Sequence, residues 1–267
     1  MKIGRIGYIN CAPVYGAIDR GIVQLPRGGE LVTGTPAELN DLLVAGELDV
    51  SVISAIEYAR HAKDLVLLPD LAISCDGPVR SVALFSKRAV GRLGGSTVLL
   101  SASSRTSVAL LELLCRDVWH ITPKFAEARA ESQDLDALAA LPHEAVLVIG
   151  DPALRLAAAG TYAHRYDLGA EWKRWTGKPF VFAVWAATRS AASASTSSAH
   201  NALLASRAWG LAHLDEIAAE TARLTALPAA TCREYLSGLD YAFGDTHRAA
   251  LSDFLRRAGV PQFMQVA

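Results

Sequence analysis

The sequence predicts an α/β protein of two lobes, with two strands crossing between them and a ligand cleft where the lobes meet. Three observations carry this expectation. Short aliphatic strands alternate with amphipathic helices from Lys2 to His61, the pattern of parallel βαβ units. A second series of the same kind runs from Thr97 to Gly160. Two apolar strands, Val79 to Ser86 and Phe180 to Thr188, lead out of the first series and return to it. Lobe one is accordingly expected to hold residues 1–84 with 187–267, and lobe two residues 85–186.

In the first series, Lys2 to Ile9 alternates as a strand, and Asn10-Cys11-Ala12-Pro13 turns it into a helix that ends at Gly21, with proline pre-set for the first helical turn. Asn10 thus stands at a strand's C-terminal end, where open α/β sheets place ligand contacts. Leu31 to Thr33 forms a second strand. Thr35-Pro36-Ala37-Glu38 is a capping box with Leu39, Leu42 and Leu43 on one helical face and Gly46 as the stop. Asp49 to Ile53 is the third strand, and Ser54 to Glu57 reads as another capping box. That spacing favours Glu57 reaching back to its own helix over Glu57 as a base. Leu65 to Pro69 and Ala72 to Ser74 are extended, Cys75-Asp76-Gly77-Pro78 is a turn, and Ser81 is a small hydroxyl in the strand that follows, facing a ligand or a strand neighbour.

The second series opens with Thr97 to Leu100, a buried strand, and an internal helix with Val108, Leu110, Leu111, Leu113 and Leu114. Between them, Ser103, Ser104, Arg105, Thr106 and Ser107 gather hydroxyls, a guanidinium and the unpaired N–H groups of a first helical turn. A cap needs one hydroxyl. Four, with an arginine, point to a site for a carboxylate or phosphate. Lys124 to Ala126 is a strand, Glu131 to Leu141 is helical with Leu135, Leu138 and Leu141 in phase, and Ala145 to Ile149 is a buried strand. Asp151 follows, with Pro152 at the start of a helix stopped by Gly160; it is either an N-cap or a catalytic carboxylate. Tyr162 to Leu168 is extended, and Trp172, Trp175, Gly177 and Pro179 connect it to the return strand. There Trp185 either packs in the core or stacks on a ring. Ser190 to Ser198, rich in Ala and Ser, reads as a loop or frayed helix start. Helices then occupy Asn201 to Leu211, Leu214 to Leu224, a segment after Pro228, and Thr246 to Ala258, packing on lobe one.

Composition narrows the function. Lys and Arg total 26 against 27 Asp and Glu, a balance without the basic footprint of nucleic-acid or anionic-membrane binding. No segment reaches the roughly 20 apolar residues of a membrane span. Cys11, Cys75, Cys115 and Cys232 lie far apart, as expected of reduced thiols in a cytoplasmic protein, and the N-terminus has no secretory pattern. The histidines are scattered without ligand spacing, so no metal site is expected. Dinucleotide, P-loop and hydrolase-elbow motifs are missing, and no cofactor is expected. What remains is a cleft with Asn10 and Ser54 on one side and Ser103 to Ser107 and Asp151 on the other, suited to a small dianion.

Asn-Cys-x-Pro at 10–13, Cys-Asp-Gly-Pro-Val at 75–79, SSRTSVALL at 103–111, VLVIGDPAL at 146–154 and Trp-Thr-Gly-x-Pro-Phe-Val-Phe-Ala at 175–183 occur in an order that resembles the chorismate dehydratases of the futalosine route to menaquinone. The resemblance runs from the first strand to LDYAFG at 239–244, departing at 190–198, where a more charged helix is expected. It implies a type II periplasmic-binding-protein-like fold and a lyase that removes water from chorismate to give 3-[(1-carboxyvinyl)oxy]benzoate. On that reading Asn10 and Asp151 are the candidate catalytic residues, and Ser54, Ser81, Ser103, Ser104, Arg105, Thr106 and Ser107 bind the dicarboxylate. The alternatives are the sister enzyme that makes 1,4-dihydroxy-6-naphthoate, or a non-catalytic small-anion-binding protein. Because the motifs hold so few ionisable side chains, a substrate carboxylate is a candidate base beside Asp151.

Overall fold

The computed structural model describes residues 1–101, 104–128, 138, 140–191 and 193–261. The expected helix from Glu131 lies mostly outside the described residues, as does Ser103.

Two five-stranded mixed sheets form the two lobes. The first contains β1 (Lys2–Ile6), β2 (Glu30–Gly34), β3 (Val50–Ser54), β4 (Leu65–Cys75) and β10 (Phe180–Thr188), in the order β2-β1-β3-β10-β4. The second contains β5 (Val82–Ser86), β6 (Thr97–Ser101), β7 (Lys124–Ala128), β8 (Ala145–Ile149) and β9 (His164–Asp167), in the order β7-β6-β8-β5-β9. In each sheet the fourth strand is antiparallel to both neighbours, β10 in the first and β5 in the second. Those are the two strands the sequence marks as crossings. Each pairs along its whole length within one sheet, so the chain passes between sheets in the connections before them, at 76–81 and at 177–179.

Local signals explain most helices. α1 (Ala12–Asp19) carries Pro13 in its first turn, and α2 (Pro36–Val44) has both bonds of the Thr35–Glu38 capping box. α3 (Ala55–Arg60) differs from expectation, because Ser54 caps nothing with its side chain and Glu57 turns away from its own N-terminus to meet arginines. α4 (Arg105–Leu113) is capped by Ser104 and continues as one π-helical turn. α5 (Gly150–Ala159) ends on left-handed Gly160, but Asp151 does not cap it. α6 (Leu168–Thr176) occupies the stretch expected only as a connection. Asp167 accepts from the Ala170 amide and Gly177 is left-handed, two stop and start signals that its tryptophans obscured.

The C-terminal helices are α7 (Ser193–Ala212), α8 (Leu214–Thr225), α9 (Ala229–Ser237) and α10 (Asp245–Arg257). α7 starts eight residues before the predicted Asn201, since Ala is the best helix former, and the Ser198 hydroxyl is satisfied inside the helix by the Ala194 carbonyl. It lies against α1 so closely that a Cβ on Gly210 would sit 2.1 Å from the Pro13 carbonyl oxygen. Expected as two segments, β4 is one strand interrupted around Asp70, whose φ of 57° bends it. Trp185 is fully buried and donates to the Tyr15 hydroxyl at 3.0 Å, which leaves it no face for a ligand. No described helix is long and apolar enough to cross a membrane.

Candidate active site

β1 and β3 end, and antiparallel β10 begins, at the same side of the first sheet, and β6 and β8 aim their C-terminal ends back at them across the gap. Between the sheets lies a narrow cavity of about 50 Å³, smaller than the usual small-molecule site, so a ring-sized ligand enters only if the lobes part. Its walls are apolar, from Ile6, Ile73 and Phe182 of lobe one to Val82 and Ile149 of lobe two. Asn10, Ser54, Ser81, Ser104 and Ser107 place polar groups on it. Five sequence-predicted residues, drawn from both lobes and one crossing, thus share one cavity.

The hydroxyls have a common arrangement. Ser54 Oγ accepts from Asn40 Nδ2 at 3.1 Å, Ser81 Oγ accepts from the Tyr235 hydroxyl at 2.8 Å, and Ser107 Oγ accepts from Ser104 Oγ at 2.8 Å. A serine whose oxygen is occupied from behind has its own proton left to donate. Ser54, Ser81 and Ser107 are therefore fixed as donors on a cavity they line. Ser104 serves differently, accepting from the Ser107 amide as the helix cap and spending its proton on Ser107. The Asn10 side-chain oxygen is buried with no hydrogen-bond partner among the described residues.

The remaining predicted residues join the lobes. Arg105 turns from lobe two to Glu57 on α3 and Asp41 on α2, at 2.6 and 2.7 Å. Thr106 Oγ1 accepts from the Ile56 amide at 3.2 Å. Asp151 Oδ1 accepts from the Ile9 amide at 3.1 Å, one residue before Asn10. Burial outweighs that bond and the nearby Arg155, and raises the Asp151 pKa to about 6. Gly150 beside it is left-handed, and a Cβ there would meet the Tyr8 ring at 2.8 Å. The cluster at 104–107 is thus divided between cavity and lobe contact, a division invisible in residue spacing alone.

Three contributors escaped the sequence reading. Asn40 is fully buried and also accepts from the Ser54 amide at 3.0 Å; its position, next to Leu39 on the inward face of α2, was the available signal. Tyr235 comes from the C-terminal layer. Asp167 accepts from the Val79 and Arg80 amides at 3.0 and 2.6 Å, holding the crossing that carries Ser81. Arg80 there has a φ of 67°, a strained value for a residue with a Cβ.

Two mixed sheets of identical order, joined by two crossings over a central cleft, define a two-lobed periplasmic-binding-protein-like protein. A protein from Archaeoglobus fulgidus of known structure superposes with a TM-score of 0.81 at 19% identity, covering 97% of this chain and 96% of its own. The periplasmic aliphatic sulphonate binding protein SsuA of Escherichia coli superposes at 0.65 with 16% identity, covering 100% and 95%. At those identities the likeness is one of fold.

Sequence comparison goes further. A family model described as menaquinone biosynthesis matches residues 1–259. A chorismate dehydratase of Thermus thermophilus is 33% identical over 97% of this chain and 95% of its own length. The chain belongs to the menaquinone-biosynthesis family.

Proposed function

We propose that this chain is a cytoplasmic lyase that dehydrates chorismate to 3-[(1-carboxyvinyl)oxy]benzoate. The observation that carries the reading is the set of serine hydroxyls fixed as donors around an apolar cavity, in a chain one third identical to a chorismate dehydratase over almost its full length. Chorismate has two carboxylates, a ring hydroxyl and a non-aromatic ring. Removing a ring hydrogen and the adjacent hydroxyl makes the ring aromatic, so much of the driving force resides in the substrate. The protein has to orient the molecule and stabilise the charge that builds on the departing oxygen.

Ser107, held by Ser104, binds one carboxylate at the N-terminus of α4, where the helix dipole adds to the hydrogen bond. Asn10, Ser54 and Ser81 hold the remaining polar groups of the substrate. Apolar walls take the ring. A substrate carboxylate acts as the base: among the described residues lining the cavity there is no histidine, lysine or carboxylate side chain, and Asp151 is engaged with the Ile9 amide.

Incubating the purified protein with chorismate and following an aromatic product by absorbance and chromatography tests the reaction. Product formation is expected. Its absence, with turnover of a cyclised futalosine instead, would move the assignment to the sister enzyme. Tight binding of another anion without turnover would favour a binding protein. Asp151→Asn is expected to keep turnover; loss of turnover with binding intact would identify Asp151 as the base.

A further inference from the structure

We propose that Tyr235 is a positioning residue for this reaction, its phenol holding the Ser81 hydroxyl so that the Ser81 proton points at the oxygen that leaves the substrate. The proposal rests on the chorismate reading above and adds to it a residue from the C-terminal helical layer. Tyr235 lies on α9 and Ser81 on the crossing between the lobes, 154 positions apart. The phenol is 1% exposed and Ser81 3%, so the 2.8 Å bond between them is shielded from water.

The Ser81 main chain is already fixed. Its amide donates to the Val79 carbonyl at 2.8 Å, and its carbonyl accepts from the Gly150 amide at 2.7 Å. Only the side-chain rotor and the direction of the O–H remain free, and the phenol decides both. Because Ser81 Oγ accepts that bond, its own hydrogen must find another acceptor, and Ser81 faces the cavity. Burial pushes the Tyr235 pKa upward, so the phenol keeps its proton and cannot reverse the chain by accepting as an anion. A donor bonded to a second donor's oxygen also polarises it, strengthening the outward O–H bond in a low-dielectric site.

The chemistry needs such a group without consuming it. The ring C–H bond breaks and its electron pair enters the ring. The proton passes to the substrate carboxylate; the ring C–O bond breaks with its pair on oxygen, and the abstracted proton joins that oxygen as water. Ser81 keeps its proton throughout and donates a hydrogen bond to the oxygen as negative charge grows there.

A double-mutant cycle tests this: kcat and KM for chorismate, with thermal midpoints, for wild type, Tyr235→Phe, Ser81→Ala and the double variant. Phenylalanine keeps the ring and removes one oxygen. Tyr235→Phe is expected to lower kcat roughly tenfold, the scale of one shielded hydrogen bond, with KM within about twofold. On the Ser81→Ala background the same change is expected to alter kcat less than about twofold, because the phenol acts only through Ser81. If Ser81→Ala does not fold, Ser81→Gly replaces it. A kcat for Tyr235→Phe equal to wild type, or the same fractional loss in both backgrounds, would overturn the assignment. A wild type that forms no aromatic product would overturn the chorismate reading itself.

Discussion

Arg105 Nη1 lies 2.6 Å from Glu57 Oε2, joining the helix that opens lobe two to a nearly buried carboxylate of lobe one. The same guanidinium reaches Asp41, and Thr106 beside it accepts from the Ile56 amide. These contacts cross the gap between the lobes near Ser104 and Ser107. On the proposed binding of substrate by those serines, binding and closure of the lobes share one helix terminus.

Removing the guanidinium should loosen closure without dismantling lobe one, because Glu57 keeps Arg60 at 2.7 Å. Arg105→Ala is expected to raise KM about tenfold, equivalent to roughly 1.4 kcal/mol, with kcat changed less than threefold. Small-angle scattering should show a larger radius of gyration for the unliganded variant. Asp41→Ala removes an exposed partner and is expected to change stability by about 0.5 kcal/mol at most. Identical kinetics for Arg105→Ala and wild type would exclude a role in closure.

Asp151 makes a pH-dependent contribution whose sign follows from burial. Its folded pKa of about 6 exceeds the ordinary 3.8. As pH rises from 3.8 to 6 the unfolded chain releases this proton first, so the group's contribution to stability falls across that window and is constant above it. Asp151→Asn lacks the loss. Its stability relative to wild type should rise by up to roughly 3 kcal/mol between pH 4 and pH 7 in urea titrations. With a substrate carboxylate as base, kcat should stay level through pH 6; a rise with its midpoint there would point to Asp151.

The approach of Gly150 to Tyr8 admits no side chain. Gly150→Ala adds a Cβ in a left-handed conformation, 2.8 Å from an aromatic ring. A loss of about 2–4 kcal/mol in chemical unfolding is expected, part from backbone strain and part from overlap. Measured on a Tyr8→Ala background, which removes the overlap, Gly150→Ala should cost only about 1 kcal/mol of strain. Wild-type stability for Gly150→Ala would mean that the two lobes do not meet there in solution.

Asn40 satisfies both the amide and the hydroxyl of Ser54 from a fully buried position. Asn40→Ala leaves a buried N–H without its acceptor and should cost about 2–3 kcal/mol of stability. Ser54→Ala keeps the bond to its own amide but leaves the buried Asn40 Nδ2 without that acceptor, so its loss should be somewhat smaller, about 1–2 kcal/mol, while its KM should rise. Equal stability losses for the two variants would argue against the paired hydrogen bonds.

Much of the fold was legible because its signals are local. The Thr35–Glu38 box, Pro13 and Pro36 in first turns, and Gly21, Gly46 and Gly160 as stops act over three or four residues, within reach of spacing arguments. The same reasoning failed at Ser54–Glu57. A capping box and an ion pair with Arg105 draw on the same carboxylate, and the stronger partner stood on another lobe. It failed again at Asp151, where a cap was expected and an amide from the first lobe took the carboxylate.

By itself the sequence determined the two βαβ series, the two apolar strands that link them, and the stretches that place Asn10 and Ser54 at strand ends and Ser104 and Ser107 at a helix start; it read Ser81 as lying within a strand, and the structure sets it just before β5. Periodicity, capping and turn chemistry are properties of neighbouring residues, and those are written in order along the chain. Tertiary structure alone decided which hydroxyls offer a proton to the cavity, since each answer depends on a donor placed behind it. Asn40 stands 14 positions from Ser54 and Tyr235 stands 154 from Ser81. A hydrogen bond is set by distance and direction in space, and only folding brings such pairs within 3 Å.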